Sequence, residues 1–241
     1  MEGLGFRLNP ALDPEQLAGL FATNRRLHIP DFLVREDAQH LHESLRDDGS
    51  WKAVVRHGEK RYEFDPATFT KAQREQLDLM VWQANPKGIH YCFGAIGVPD
   101  SDRERASNPT SLNRLARFLC SEPILSVVRT ICAMPDISFA DAQGTAYGAG
   151  DFLGVHDDDL KGKGRRAAYV LNLSPSWHVD WGGLLLFPRD DGHVAEAFTP
   201  RFNALNLFAV PQTHSVSMVV PFAGERRYAV SGWFRSGDPP E

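Results

Sequence analysis

His156-Asp157-Asp158 and His214 are the residues of this 241-residue chain whose types and spacing can do chemistry. Along an extended strand, side chains two apart point the same way, so His156 and Asp158 can meet at one point while Asp157 points away. Two imidazoles and one carboxylate on one face of an ion leave positions open opposite, the ligand set of a mononuclear iron(II) centre that activates oxygen. A closed four-ligand structural site has no such vacancy. The same residues admit other readings. Asp157, Asp158 and Asp159 also read as a solvated acidic turn, His214 as a hydrogen-bonded core histidine, and the three together as a zinc hydrolase site, although no glutamate base is evident beside them. A calcium loop would need a longer alternation of oxygen ligands than this segment has. What joins the triad is its setting: His156 closes one β-type run and His214 opens another, with four further runs between them.

Those runs belong to a second half that reads as β structure. From Ile137 onward, short apolar stretches are divided by Gly, Pro, Asp and Asn. The expected strands are Ile137–Tyr147, Phe152–His156, Arg166–Leu173, Gly183–Phe187, His193–Phe198, Ala204–Val210, His214–Val220 and Arg227–Phe234. Eight strands at short spacing point to a sandwich or barrel. The first half reads as helices, because apolar residues recur every three or four positions in Pro14–Thr23, Arg35–Asp47, Thr68–Ala84, Ser111–Leu119 and Glu122–Cys132. Asp13 before Pro14 and Asn108 before Pro109 are cap-then-proline starts. Trp51–Val55 and Lys60–Phe64 flank His57-Gly58-Glu59, which predicts a hairpin. The stretch from Pro86 to Asn108 shows no period and reads as a long loop, either a lid or a plain surface excursion.

A hydrophobic fraction of 42% over 241 residues suits one self-sufficient domain, 1–241, with a helical region over residues 1–136 and a β core over 137–235. The net charge of −5 and pI near 6.0 give no general reason to expect a nucleic-acid partner. Cys92, Cys120 and Cys132 form no CxxC pair and no even framework, and read as buried thiols in a reducing compartment. The first residues lack the basic start and apolar core of a signal peptide, and no apolar run approaches the ~20 residues that span a bilayer, so a cytoplasmic protein without a membrane partner is expected.

With these residues in place, Asp141–Phe234 resembles the core of prolyl-hydroxylase-type iron(II)- and 2-oxoglutarate-dependent dioxygenases. The carriers are Tyr147-Gly-Ala-Gly-Asp-Phe152 before His156-Asp-Asp158, then Asn172-Leu-Ser-Pro-Ser-Trp177 and Trp181-Gly-Gly183. Phe202-Asn-Ala-Leu-Asn-Leu-Phe208 precedes His214, and Arg227-Tyr-Ala-Val-Ser-Gly-Trp-Phe234 ends the segment. The final Ser-Gly-Trp-Phe is most similar to the catalytic domain of the ribosomal-protein prolyl hydroxylases, whose second, degenerate barrel has no room in 241 residues. The resemblance implies an α+β fold: a double-stranded β-helix (jelly-roll, cupin-like) with the N-terminal helices packed on one sheet. It implies iron(II) on His156, Asp158 and His214, with 2-oxoglutarate and O2 as co-substrates and ascorbate as a possible accessory. Arg227 would bind the distal carboxylate of 2-oxoglutarate, for which its planar fork of donors is suited. Tyr147 is implied as a second donor or wall, and Asn172 as a further co-substrate contact. The activity implied is hydroxylation of a C–H bond, a prolyl residue of a protein or peptide being the first choice. A free amino acid or other small metabolite, and a non-catalytic metal-containing barrel, stand as alternatives. Nucleic-acid demethylases of the superfamily usually carry a second arginine six residues after the first, where this chain has Trp233.

Arg226 and Arg227 cannot both face the interior of a regular strand. Counting in twos from Arg227 gives Ala229, Ser231 and Trp233 on the inner face. From Arg226 it gives Tyr228, Val230, Gly232 and Phe234, an apolar set suited to the outer face. Val216 and Met218, in step with His214, are expected to line the same interior. Gly182-Gly183 reads as a tight connection, and Trp177, Trp181 and Trp233 as core or pocket wall. Arg56, Arg61 and Tyr62 on the hairpin either meet substrate or form a solvated face.

Overall fold

A computed structural model describes residues 5–57, 59–82 and 89–239. The end of the helix expected at Thr68–Ala84, the hairpin's Gly58 and the start of the 86–108 stretch fall outside the described residues. The helices are α1 (Pro14–Asn24), α2 (Arg35–Arg46), α3 (Lys71–Trp82), α4 (Asp102–Ser107), α5 (Ser111–Leu119) and α6 (Glu122–Cys132). The strands are β1 (Arg26–Ile29), β2 (Lys52–His57), β3 (Lys60–Phe64), β4 (Tyr91–Gly97), β5 (Ile137–Ala140), β6 (Gln143–Tyr147) and β7 (Phe152–His156). They continue with β8 (Arg165–Asn172), β9 (Leu185–Pro188), β10 (Val194–Phe198), β11 (Ala204–Ala209), β12 (His214–Val216) and β13 (Arg227–Ser236).

Local chemistry sets the helix ends. The Asp13 carboxylate accepts from the Glu15 and Gln16 amides, and Pro14 supplies the preset φ of a first helical residue, so α1 starts where the sequence says. Thr110 caps α5 by accepting from the Asn113 amide. Leu41 and Leu45 of α2, Leu112 and Leu115 of α5, and Ile124 and Val128 of α6 all face one buried cluster. The other side of that cluster is a sheet face carrying Tyr169, Leu171, Leu205, Leu207, Val230 and Phe234. The helices therefore cover one face of the sheet, as expected of the α+β class.

The sheet runs in the order β1-β11-β8-β13-β6-β4-β7-β12-β9-β10, with β2 joined to β4, β3 to β2, and β5 to the far end of β13. Every pairing is antiparallel. Its two ends approach each other: the Arg26 guanidinium of β1 bonds the Glu196 carboxylate of β10, and the His28 and Phe198 rings lie 5.4 Å apart. The curled sheet is a nearly closed barrel, the double-stranded β-helix that the resemblance implied. Phe93, Ala168, Leu185, Phe187, Phe208 and Val216 fill its interior.

Several elements differ from the expected ones. The 86–108 stretch is not a loop: it holds β4, in the middle of the sheet, and the short α4. In β4 the run Cys92–Ala95 is buried at every position, so it shows no alternation to read. Gly154 of β7 lets that strand lie against the segment entering β4, since a Cβ there would sit 2.8 Å from the His90 carbonyl oxygen. The run expected at Ile137–Tyr147 is two strands, broken at Asp141-Ala142, where the Asp141 amide donates to the Trp233 carbonyl and its carboxylate accepts from the Trp233 amide. The strand expected at His214–Val220 ends at Val216, and β1 was not expected. Cys92 and Cys132 are buried free thiols, whereas Cys120 is only half-buried, with its thiol donating to the Ala140 carbonyl. Among the described residues no helix is long and apolar enough to cross a membrane.

Candidate active site

Strands β7 and β12 pair so that His156 lies directly opposite His214, with ring centroids 4.1 Å apart. Asp158 reaches the same point, but not as the next-but-one residue of an extended strand. β7 ends at His156, and Asp158 sits at φ +66°, a left-handed turn that folds its carboxylate back between the rings. Asp157 is exposed, and its carboxylate is occupied by the Asp159 amide. One Asp158 oxygen lies 3.5 Å from His156 Nε2 and the other 3.5 Å from His214 Nε2. The three donors lie within 4.8 Å of one another, the spacing of side chains around one ion held at about 2 Å.

The second ring nitrogens explain which atoms face that point. Nδ1 of His156 is 2.9 Å from the Gly154 carbonyl, and Nδ1 of His214 is 2.7 Å from the Gln212 carbonyl. A carbonyl only accepts, so each Nδ1 carries the proton and each Nε2 keeps its lone pair for a metal. Burial, and then the neighbouring His156, lower His214 to about 4, which keeps that imidazole neutral and competent as a ligand at neutral pH. The Phe208 ring packs edge-on against His214 at 4.6 Å and fixes its plane.

The triad faces a cavity of about 290 Å³. At one end stands Arg227, 1% exposed and without a carboxylate partner among the described residues. Its Nη2 donates to Asn172 Oδ1 at 3.3 Å, while Nε and Nη1 have no partner. Burial lowers its pKa, the mark of a charge taken out of water without compensation. A buried cation with two orphaned donor nitrogens is fitted to an incoming carboxylate, and the two imidazoles that turn Nε2 toward Asp158 are fitted to a divalent ion. The residues present thus suit an iron(II) and a 2-oxo acid with a distal carboxylate.

Tyr147 forms the wall beside Arg227, its ring 5.2 Å from the guanidinium carbon and stacked on Phe93. Burial holds its phenol protonated, well above its ordinary range. Asn172 is not on the cavity wall: it is fully buried behind the guanidinium. Arg226, the residue before β13, is exposed. Ser231 and Trp233 line the cavity, and Tyr228, Val230 and Phe234 pack beneath the helices, as alternation predicts, but Gly232, counted to the outer face, also borders the cavity, and Ala229, counted to the inner face, does not. Val216 lines the cavity as expected, but Met218 does not; it lies beyond the end of β12 with 45% exposure. Trp177 and Trp181 pair edge to face outside the cavity, and of the hairpin residues Arg61 reaches its wall.

Arg165 was not anticipated. Its Nη1 donates to the Asp158 carbonyl at 3.1 Å and lies 3.7 Å from the Asp158 carboxylate, and its guanidinium stacks 3.4 Å from the centre of the Trp233 ring. Counting in twos from Ala168 and Val170 would send Arg166 inward. A register shift opposite Phe234/Arg235 reverses the alternation and turns Arg165 in instead. That irregularity leaves no signature in the sequence.

Comparison with known proteins agrees with this geometry. Residues 142–235 match the 2OG-Fe(II) oxygenase superfamily. A prolyl 3-hydroxylase of Xenopus laevis, OGFOD1, is 42% identical over 95 residues, covering 36% of this chain and 18% of that one. The chain spans only about a fifth of the length of the curated relatives it matches. Among solved structures, a Pseudomonas putida prolyl-4-hydroxylase superposes with a TM-score of 0.60 at 16% identity, over 94% of this chain and all of that one. A Trichoplax adhaerens prolyl hydroxylase in complex with a hypoxia inducible factor peptide fragment gives 0.55 at 16% identity, over 92% and 89%.

Proposed function

We propose that this chain, whose residues 142–235 match the 2OG-Fe(II) oxygenase superfamily, is an iron(II)- and 2-oxoglutarate-dependent dioxygenase that hydroxylates a prolyl residue in a protein or peptide. The observation that carries the reading is that His156, Asp158 and His214 share one cavity with a buried, carboxylate-free Arg227. The prolyl hydroxylases among its relatives support the substrate class. In this reading the helical region, residues 1–136, and the core, residues 137–235, act as one unit. The free thiols favour a cytoplasmic location, and the net charge of −5 speaks against a nucleic-acid substrate.

In this reading His156, Asp158 and His214 hold the iron, which with 2-oxoglutarate and O2 supplies the oxidising power, and ascorbate can serve as accessory reductant. The chain's own contribution is placement. The carbonyls of Gly154 and Gln212 orient the two imidazoles. Arg165 ties down the turn that carries Asp158. Arg227 takes the distal carboxylate of 2-oxoglutarate through charge-assisted bonds, with Tyr147 beside it. Leu153, Leu185, Phe93 and Val216 make part of the cavity wall apolar, which strengthens that pairing. No side chain is assigned as general acid or base.

The test is mass spectrometry of candidate peptides, ribosomal proteins and free amino acids incubated with the protein, iron(II) and 2-oxoglutarate. Gain of one oxygen on a prolyl residue is expected. Efficient oxidation of a free amino acid or another metabolite with no protein modified would refute the substrate class.

A further inference from the structure

Among the described residues, Asn172 is the polar side chain that bonds Arg227, and it does so from behind. Its amide nitrogen donates to the Ala204 carbonyl of β11 at 3.1 Å, so its oxygen is turned to the guanidinium, 3.3 Å from Nη2. The residue is 0% exposed and does not reach the cavity wall, so it cannot touch a ligand there. Its backbone is held just as firmly. The Asn172 carbonyl accepts from the Asn203 amide at 2.8 Å. Asn203, also 0% exposed, clamps the amide and carbonyl of Leu33 through its side chain, at 3.0 and 2.7 Å.

From this arrangement we infer that Asn172 is a positioning residue for Arg227: it fixes the guanidinium plane by accepting one of its five N–H donors and leaves the other donors for a carboxylate. The inference rests on the function proposed above. An unheld guanidinium in a cavity with no other acceptor would sample several orientations, and a carboxylate arriving there would have to select one. An asparagine oxygen orients the group without neutralising it, whereas an aspartate at the same place would occupy the charge that the ligand needs. Asn203 extends the support to the segment that follows β1, so the orientation of Arg227 is built on contacts between the N-terminal region and the barrel.

The test uses the iron(II)-loaded protein kept free of oxygen and measures binding by calorimetry, with 2-oxoglutarate and with 2-oxobutyrate, which lacks the distal carboxylate. Asn172→Ala should weaken 2-oxoglutarate about tenfold, equivalent to about 1.4 kcal/mol, and leave 2-oxobutyrate unchanged. The nearly isosteric Asn172→Asp should weaken 2-oxoglutarate further while again sparing 2-oxobutyrate. In an Arg227→Met background, Asn172→Ala should add nothing. Equal weakening of both ligands would show a merely structural role and overturn the inference, as would unchanged 2-oxoglutarate affinity in both Asn172 variants. A wild-type protein that binds 2-oxobutyrate and 2-oxoglutarate alike would instead remove the role of Arg227, and one that binds neither would remove the proposed function itself; in either case the inference falls with it.

Discussion

Replacing Arg227 by Met separates its two roles. The methionine keeps an unbranched chain of similar volume but removes the guanidinium. In the free protein that group is 1% exposed, has two unpartnered nitrogens and carries a charge whose burial is offset only in part, by Asn172 and Tyr147. Its loss relieves that burial but strands the buried Asn172 oxygen, so the free protein should stay close to wild-type stability. Binding should change far more. Losing a charge-assisted pair costs on the order of 1.5–3 kcal/mol, which weakens 2-oxoglutarate by roughly ten- to a hundredfold. Thermal unfolding reads both effects. At a concentration of about 100 times its Kd, 2-oxoglutarate stabilises the wild type by about 2.7 kcal/mol, and Arg227→Met should lose between about half and nearly all of that rise at the same concentration. Arg226→Ala, at the exposed residue before β13, should keep it. Arg227→Lys should fall between the two, since it retains the charge without the fork. If Arg226→Ala abolished the ligand-induced shift while Arg227→Met retained it, the assignment of faces on β13 would be wrong.

Other expectations follow from single contacts. His156→Ala, Asp158→Ala and His214→Ala should each abolish iron binding as measured by metal content, while Asp157→Ala and Asp159→Ala, on exposed side chains, should keep it. Gly182 sits at φ +69° with the Met218 carbonyl where a Cβ would go, so Gly182→Ala should cost at least about 2 kcal/mol and lower Tm by roughly 4–8 °C; an unchanged Tm would show that the 182–218 approach is loose. Burial, and then Arg46, depress the pKa of His42, with Glu225 and Glu43 opposing. Its neutral form is favoured on folding, so its contribution is complete above about pH 6.5 and is lost as pH falls toward its lower folded value. His42→Leu should lose less stability than wild type when titrated from about pH 7 to 5 in urea unfolding.

Much of the site was legible because its signals are local. The spacing of His156 and Asp158, the position of His214 at the head of a strand, and most of the alternation along Arg227–Phe234 survive in the structure. The reason given for Asp158 did not: a left-handed turn, not strand alternation, aims it. Chance agreement between the two conceals that a β-branched residue at position 158 would be strained. What could not be read is what depends on non-local pairing. β4 looked structureless because burial on both faces erases periodicity, β1 is too short to show one, and the register shift that admits Arg165 exists only through the pairing of β8 with β13. The placement of Asn172 was similarly hidden, since a polar residue on an inward face reads as a ligand contact until the depth of Arg227 is known.

On the function proposed above, this cavity couples oxidation of 2-oxoglutarate to oxidation of a second substrate. The direct measurement is incubation of the iron(II)-loaded protein with 2-oxoglutarate and a prolyl-containing peptide substrate under isotopically heavy molecular oxygen, followed by mass spectrometry of both products. One heavy atom is expected in succinate and one in the hydroxylated prolyl residue, in equal amounts and only when both substrates are present. Turnover that proceeds without 2-oxoglutarate, or a product whose new oxygen comes from water with no labelled succinate, would contradict that coupling.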